Sequence, residues 1–288
     1  MYRWPQQWCF IICVLDGHFM MLPIGVIDSG VGGLTVVHEL MRQLPNEKII
    51  YVGDTLRCPY GPRPPHEVQQ FTREMVGFLL SQRIKMLVIA CNTATAFTLE
   101  ALSQELSIPV IGVIQPGARA AIKVSQSNQV GVIGTEGTIN SGAYEKMLQH
   151  LKPNIKVASL ACPKFVPMVE QGELEGSNAL RMVRETLGPF VAAHAMDTLV
   201  LGCTHYPLLR ALIQQVVGEE VNIISSNEEV ANEVSSVLGF LGQLNESPSS
   251  NEHAFYTTGD VELFHNVHQR LFGDSVPKVK GLVLTPAS

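Results

Sequence analysis

The sequence predicts an α/β protein of two pseudo-symmetric domains, each a mainly parallel β-sheet flanked by helices. Three observations predict it. Short apolar runs of strand character alternate with stretches of helical periodicity, the rhythm of a parallel sheet covered on both faces. The stretch "IGVIDSGVGG", from Ile24, is echoed by "VGVIGTEGT", from Val130. The stretch "LVIACNTAT" (87–95) is echoed by "LVLGCTHYP" (199–207). Both echoes run in the same order at similar offsets. That period is too long for a solenoid, so the chain reads as two related halves.

Taken in order, "IGVID" (24–28) is a first strand, followed by a Gly-rich turn and the helical "LTVVHELMRQL". "KIIYVGD" (48–54) is the second strand. In "EVQQFTREMVGFLLSQ", Val68, Phe71, Met75, Phe78 and Leu79 share one helical face. "KMLVIAC" and "IPVIGVI" are strands, each followed by a helix; "VGVIG" and "KVASL" repeat the pattern in the second half. The polar "NESPSSNEH" (245–253) reads as a surface loop. The tail after it, "AFYTTG", a helix and "KVKGLVLT", is expected to return to the first domain. The expected division is 23–117 plus 228–288 for the first domain and 118–227 for the second.

Residues 1–22 stand apart as an N-terminal extension. Their apolar run "WCFIICVL" is too short to span a membrane and lacks a small-x-small cleavage site. An upstream start codon, with Met20 or Met21 as the working start, accounts for it.

The chain has 288 residues, 46% apolar and 16% charged, which is ample material for globular cores. A net charge of −6 argues against a nucleic-acid surface. It does not exclude an acidic small substrate, because backbone N–H groups at turns and helix starts bind carboxylates. The six cysteines include no Cys-x-x-Cys pair and suggest neither a disulfide framework nor a zinc ribbon. A reducing, cytoplasmic location follows.

Ligands of open parallel sheets sit outside the carboxyl ends of the strands. Cys91 and Cys203 both fall there, each just before a helix. Asn92 or Thr93 is expected to cap one helix start and Thr204 the other, with Pro207 in the first turn. The helix dipole at such a position favours a thiolate. Asp28 ends a strand on the same edge as Cys91 and can accept a hydrogen bond or a proton. The turn "DSGVGG" (28–33) is neither a phosphate loop nor a dinucleotide fingerprint, and read alone it is an ordinary strand–helix turn. "GDTLRCPYGPR" (53–63) is expected to be a mobile cover. His205 is either a satisfied polar residue or a proton-handling partner for Cys203. Glu170, on pattern alone, is a solvated helix residue, and Cys58 and Cys162 read as structural. No lysine stands in a Schiff-base context.

Two thiols facing one cleft suit the inversion of a stereocentre beside a carboxylate. One group removes the Cα proton from one face and the other returns a proton to the opposite face. The roles exchange in the reverse direction, so two groups of one type are natural, and a thiol pKa near 8.5 can be tuned either way.

At these motifs the chain resembles the cofactor-independent glutamate racemases of bacterial cell-wall synthesis. The resemblance runs from about Ile24 to the C-terminal region. It is carried by "GVIDSGVGGLTV", "YVGDTLRCPYGPR", "LVIACNTATA", "GVIQPGARAA", "VGVIGTEGTINSGAY", "ACPKFVPMVEQG" and "LGCTHYPLL". It implies an active site at the domain interface, no cofactor and no metal. Cys91 and Cys203 would be the acid/base pair, with Asp28 assisting Cys91 and His205 and Glu170 assisting Cys203. Asp28, Ser29, Tyr60, Gly61, Asn92, Thr93, Thr204 and His205 would line the substrate site. Thr135 and Thr138 are further candidates for the carboxylates. The substrate would be L- or D-glutamate, the product D-glutamate would feed peptidoglycan, and the enzyme would be a homodimer without nucleic-acid or membrane partners. Residues 1–22 have no counterpart in the family pattern, and Gln115 stands where an acidic residue is common.

Three other readings remain: an aspartate racemase sharing the fold and the cysteine pair, an amino-acid-binding protein with structural cysteines, and a metal hydrolase using Cys203 and His205.

Overall fold

A computed structural model describes residues 20–246, 253–273 and 279–285. The apolar N-terminal run, Cys9 and Cys13, and the centre of the 245–253 loop lie outside the described residues.

The first sheet is built from β1 (Ile24–Asp28), β2 (Ile49–Gly53), β3 (Met86–Ile89) and β4 (Val110–Gly112). Late in the chain it gains β9 (Ala254–Thr257) and β10 (Val279–Gly281). The order is β10-β9-β2-β1-β3-β4. The second sheet holds β5 (Gln129–Gly134), β6 (Lys156–Ala161), β7 (Thr198–Gly202) and β8 (Asn222–Ser225), in the order β6-β5-β7-β8. All the strand pairs described are parallel. Each half therefore places its first four strands in the order second, first, third, fourth. The echoes seen in the sequence occupy equivalent strands: β1 with β5, and β3 with β7. The tail after residue 253 joins the first sheet beside β2.

Side chains on a strand alternate between faces. Ile24, Val26, Met86 and Val88 enter one core of the first sheet. Ile27, Leu87 and Ile89 enter the other. The first of these cores packs under α1 (Leu34–Gln43) and α10 (Ser226–Phe240), the second under α2 (Pro65–Ser81) and α3 (Asn92–Glu105). In the second sheet Ile133, Leu199 and Leu201 face α8 (Ser177–Ala193) and α9 (Arg210–Val217). Val130, Val132 and Val200 face α4 (Ile114–Val124) and α6 (Ala143–Leu151). Covering both faces explains why the strands read as continuous apolar runs rather than alternating ones.

Parallel pairing also fixes the level of the strand ends. Ile27 pairs with Ile89, so Asp28 and Cys91 follow at one edge of the first sheet. Gly134 pairs with Gly202, so Thr135 and Cys203 follow at one edge of the second.

Candidate active site

The two carboxyl-end edges meet around a closed cavity. It is lined by Ser29, Tyr60 and Gly61, by Cys91, Asn92 and Thr93, and by Thr135, Cys203, Thr204 and His205, with Pro59 and Val166 completing it. Its volume is about 10 Å³, roughly the room one water needs. The two cysteines, from equivalent positions of the two sheets, both contribute to this wall.

Cys91 is itself the N-cap of α3: its Sγ accepts from the Ala94 N–H at 3.4 Å. This corrects the expectation that Asn92 or Thr93 caps the helix. The thiol also donates to Ser29 Oγ at 3.5 Å. The expected thiolate character does not follow. Burial, reinforced by the Asp28 charge, pushes the Cys91 thiol up to about 12, and the Ala94 and Ser29 hydrogen bonds offset this only in part.

Thr204 does not cap a helix either. The chain after Cys203 enters a 3₁₀ turn, Tyr206–Leu209, with Pro207 in it, before α9 begins. The Thr204 hydroxyl is free of that duty and reaches across to donate to Asp28 Oδ1 at 3.2 Å. The other Asp28 oxygen accepts from the Gly30 N–H at 3.0 Å. Asp28 is fully buried, and burial raises its pKa against the opposing pull of His205, Gly30, Gly33 and Thr204.

His205 links Cys203 to Glu170. Its Nδ1 faces Cys203 Sγ at 3.8 Å, and its Nε2 lies 2.6 Å from Glu170 Oε1. Burial disfavours an imidazolium here, yet hydrogen bonds to Cys203, Cys58 and Glu170 prevail and hold the pKa well above the usual value. Burial likewise raises Glu170, but the His205 bond wins and keeps it ionised. Glu170 ends α7 (Phe165–Glu170) with its side chain mostly buried against His205, which corrects the reading of a solvated helix residue.

The Gly-rich turn is shaped for this contact. A Cβ on Gly32 would stand 2.5 Å from both His205 Nδ1 and Thr204 Oγ1, and one on Gly30 would stand 2.7 Å from Glu170 Oε1. The turn is thus where the second half closes on the first.

Part of the cavity wall is a cluster of hydroxyls. Thr93 Oγ1 lies 2.7 Å from Thr135 Oγ1 and 3.2 Å from Thr138 Oγ1. Asn92 Oδ1 accepts from Tyr144 at 2.7 Å. The buried Asn92 Nδ2 has no hydrogen-bond partner among the described residues, which leaves a donor at the cavity wall.

Loop 53–63 covers the cavity, and it is tied down. Arg57 bonds Asp54 at 2.7 Å and Glu74 at 2.5 Å, Tyr60 donates to Asp54, and Gly61 C=O accepts from the Gly137 N–H of the other half at 2.8 Å. Cys58, in this loop, points at the site: its Sγ lies 3.6 Å from Glu170 Oε1. Sequence reasoning missed it, because nothing local distinguishes it from a packed thiol. Cys162 is fully buried in the second core, as a structural cysteine would be.

The family model described as Asp/Glu/Hydantoin racemase matches residues 24–234. A glutamate racemase of Oceanobacillus iheyensis is 64% identical over 252 residues, 88% of this chain and 92% of its own length. The crystal structure of glutamate racemase isoform RacE1 from Bacillus anthracis superposes with a TM-score of 0.88 at 50% identity, covering 91% of this chain and 98% of that one. That of the Francisella tularensis glutamate racemase in complex with D-glutamate gives a TM-score of 0.84 at 36% identity, covering 92% and 98%.

Proposed function

The chain belongs to the Asp/Glu/Hydantoin racemase family, and we propose that this isomerase, a glutamate racemase, carries the Cα proton of glutamate between Cys91 and Cys203. One observation carries the proposal: equivalent strands of two matching sheets deliver one thiol each to the wall of a single closed cavity.

In one direction a thiolate takes the Cα proton and becomes a thiol, leaving a planar carbanion stabilised by the adjacent carboxylate. The second thiol then protonates the opposite face and becomes the thiolate. The reverse reaction exchanges the roles. The two thiolates have different settings. One formed at Cys203 faces the His205 imidazolium, which Glu170 holds in place. One formed at Cys91 is met by the Ala94 N–H and Ser29, with the buried Asp28 able to take up a proton on that side. Asn92, Thr93 and Thr135 offer hydrogen-bond donors to the substrate carboxylates, with Thr138 bonded to Thr93 and Thr135 and with Thr204, Tyr60 and Gly61 completing the wall. No step asks for a cofactor.

A cavity of about 10 Å³ is far smaller than glutamate, so substrate entry requires loop 53–63 or the two halves to part. We assign 23–117 plus 228–288 to one domain and 118–227 to the other, in keeping with β9 and β10 joining the first sheet. On the family resemblance, the enzyme works in the cytoplasm as a homodimer and supplies D-glutamate for peptidoglycan. Among the described residues no helix is long and apolar enough to cross a membrane.

Circular dichroism of purified protein with L-glutamate and, separately, L-aspartate tests the activity. Loss of optical rotation with glutamate and little with aspartate is expected. Turnover of aspartate alone contradicts the assignment.

A further inference from the structure

We propose that Cys58, Glu170 and His205 form a binding site for a borderline-soft divalent cation such as Zn²⁺, and that filling it reversibly switches off racemisation. The inference rests on the reading of His205 as the partner of Cys203.

The three side chains each offer one ligand atom, and these atoms all lie within 4.8 Å of one another. They come from three separate segments: loop 53–63, the end of α7 and the turn after β7. They converge on the space that Gly30 leaves open. A Cβ there would lie 2.7 Å from Glu170 Oε1, 3.0 Å from Cys58 Sγ and 3.4 Å from His205 Nε2. A thiolate, an imidazole nitrogen and a carboxylate oxygen are the donor types zinc takes, and three protein ligands leave a fourth position for water. Binding needs only small movements, chiefly the parting of Nε2 and Oε1 from their present 2.6 Å. Glu170 keeps 20% of its side chain exposed and Cys58 is partly exposed, so an ion can arrive from outside the closed cavity.

The chemistry of inhibition is direct. The ion displaces the Cys58 thiol proton and the His205 Nε2 proton. An imidazole with Nε2 on a metal keeps its Nδ1–H toward Cys203, but it can no longer exchange a proton with Glu170 through Nε2 and return to the imidazolium that faces a Cys203 thiolate. The ion and the proton relay compete for the same nitrogen.

The test uses the full chain, freed of metal with a chelator, and titrates it with Zn²⁺ and, as a spectroscopic probe, Co²⁺. One Zn²⁺ per chain is expected, with thiolate-to-cobalt charge-transfer absorption. Glutamate racemisation should fall in step with occupancy and return on adding chelator. Measured against its own rate in chelator, Cys58→Ser should lose the charge-transfer band and require at least about tenfold more Zn²⁺ for inhibition. Cys58→Ala is the second variant if Cys58→Ser misfolds. Equal inhibition of the Cys58 variants places the ion on Cys91 or Cys203 and overturns the proposal. So does a wild-type chain that binds no ion, or one that binds it and remains active. Because binding is read by absorbance, a chain that does not racemise glutamate would sink the functional reading separately.

Discussion

Glu170 Oε1 lies 2.6 Å from His205 Nε2, at the far side of the imidazole from Cys203. A carboxylate so placed fixes the ring and favours its cationic form. Among the described residues Cys91 has no such relay: its direct partners are Ser29 and a backbone N–H. The two thiols are equivalent in topology and different in chemistry.

Glu170→Gln preserves a hydrogen-bonding group and removes the charge. We expect kcat to fall in both directions, by less than the roughly 10²–10⁴-fold that a proton-transfer group itself contributes. KM should change little, because Glu170 does not line the cavity. Steady-state circular dichroism with each enantiomer checks this; a rise in KM at constant kcat would make Glu170 a binding residue.

Gly32→Ala places a methyl 2.5 Å from His205 Nδ1 and Thr204 Oγ1. Crowding of this kind costs about 1–3 kcal/mol, and here it displaces the His205 ring as well. Activity should therefore drop more than about tenfold while the chain remains folded, as read by kinetics alongside a thermal melt. Unchanged kinetics would show that the two halves do not close on this turn during turnover.

Lys85 is fully buried against Glu47 at 2.6 Å and also donates to the carbonyls of Met20 and Gln243. Burial lowers its pKa, and Glu47 offsets part of that. Lys85→Met strands the Glu47 carboxylate and should destabilise the fold by about 3–5 kcal/mol in denaturant titrations. Combining Lys85→Met with Glu47→Gln removes the stranded charge and should recover part of the loss.

Asp197 organises the turn between α4 and β5, accepting from Ser125 Oγ at 2.7 Å and from the N–H groups of Gln126 and Ser127. Burial opposes ionisation, but these bonds dominate and hold its pKa below the ordinary carboxylate value. A folded pKa below the unfolded one stabilises above the unfolded value, about 3.9, and the benefit fades as pH falls through the folded one. Wild type should therefore exceed Asp197→Asn in stability at neutral pH, and the gap should close in acid. A gap independent of pH would mean the loss comes from shape rather than charge.

Much of this was legible in the sequence for a physical reason. The alternation of strands and helices and the two cysteine positions depend on local apolar runs and on parallel pairing, which puts every strand end at one edge; the order of strands within each sheet was not read from the sequence. The partnership of Glu170 with His205 and the approach of Cys58 were not legible from pattern, because they join separate segments through tertiary packing; only the family resemblance pointed to Glu170. The helix-cap expectations failed at the same place. Cys91 takes the cap itself, and Thr204 spends its hydroxyl on Asp28. Burial then overrides the helix dipole at Cys91, since desolvation of a thiolate outweighs one N–H contact.

The central claim is that two thiols work on opposite faces of one carbon. The most direct measurement is deuterium incorporation at Cα in D₂O, followed with L- and with D-glutamate for wild type, Cys91→Ser and Cys203→Ser. The account predicts that wild type racemises with deuterium gained in the product. Each serine variant should lose racemisation by roughly 10²–10⁴-fold or more, while retained exchange is confined to one enantiomer, a different one for each variant. Racemisation near the wild-type rate in either variant, or inversion without solvent deuterium when both enantiomers are tested, would contradict it.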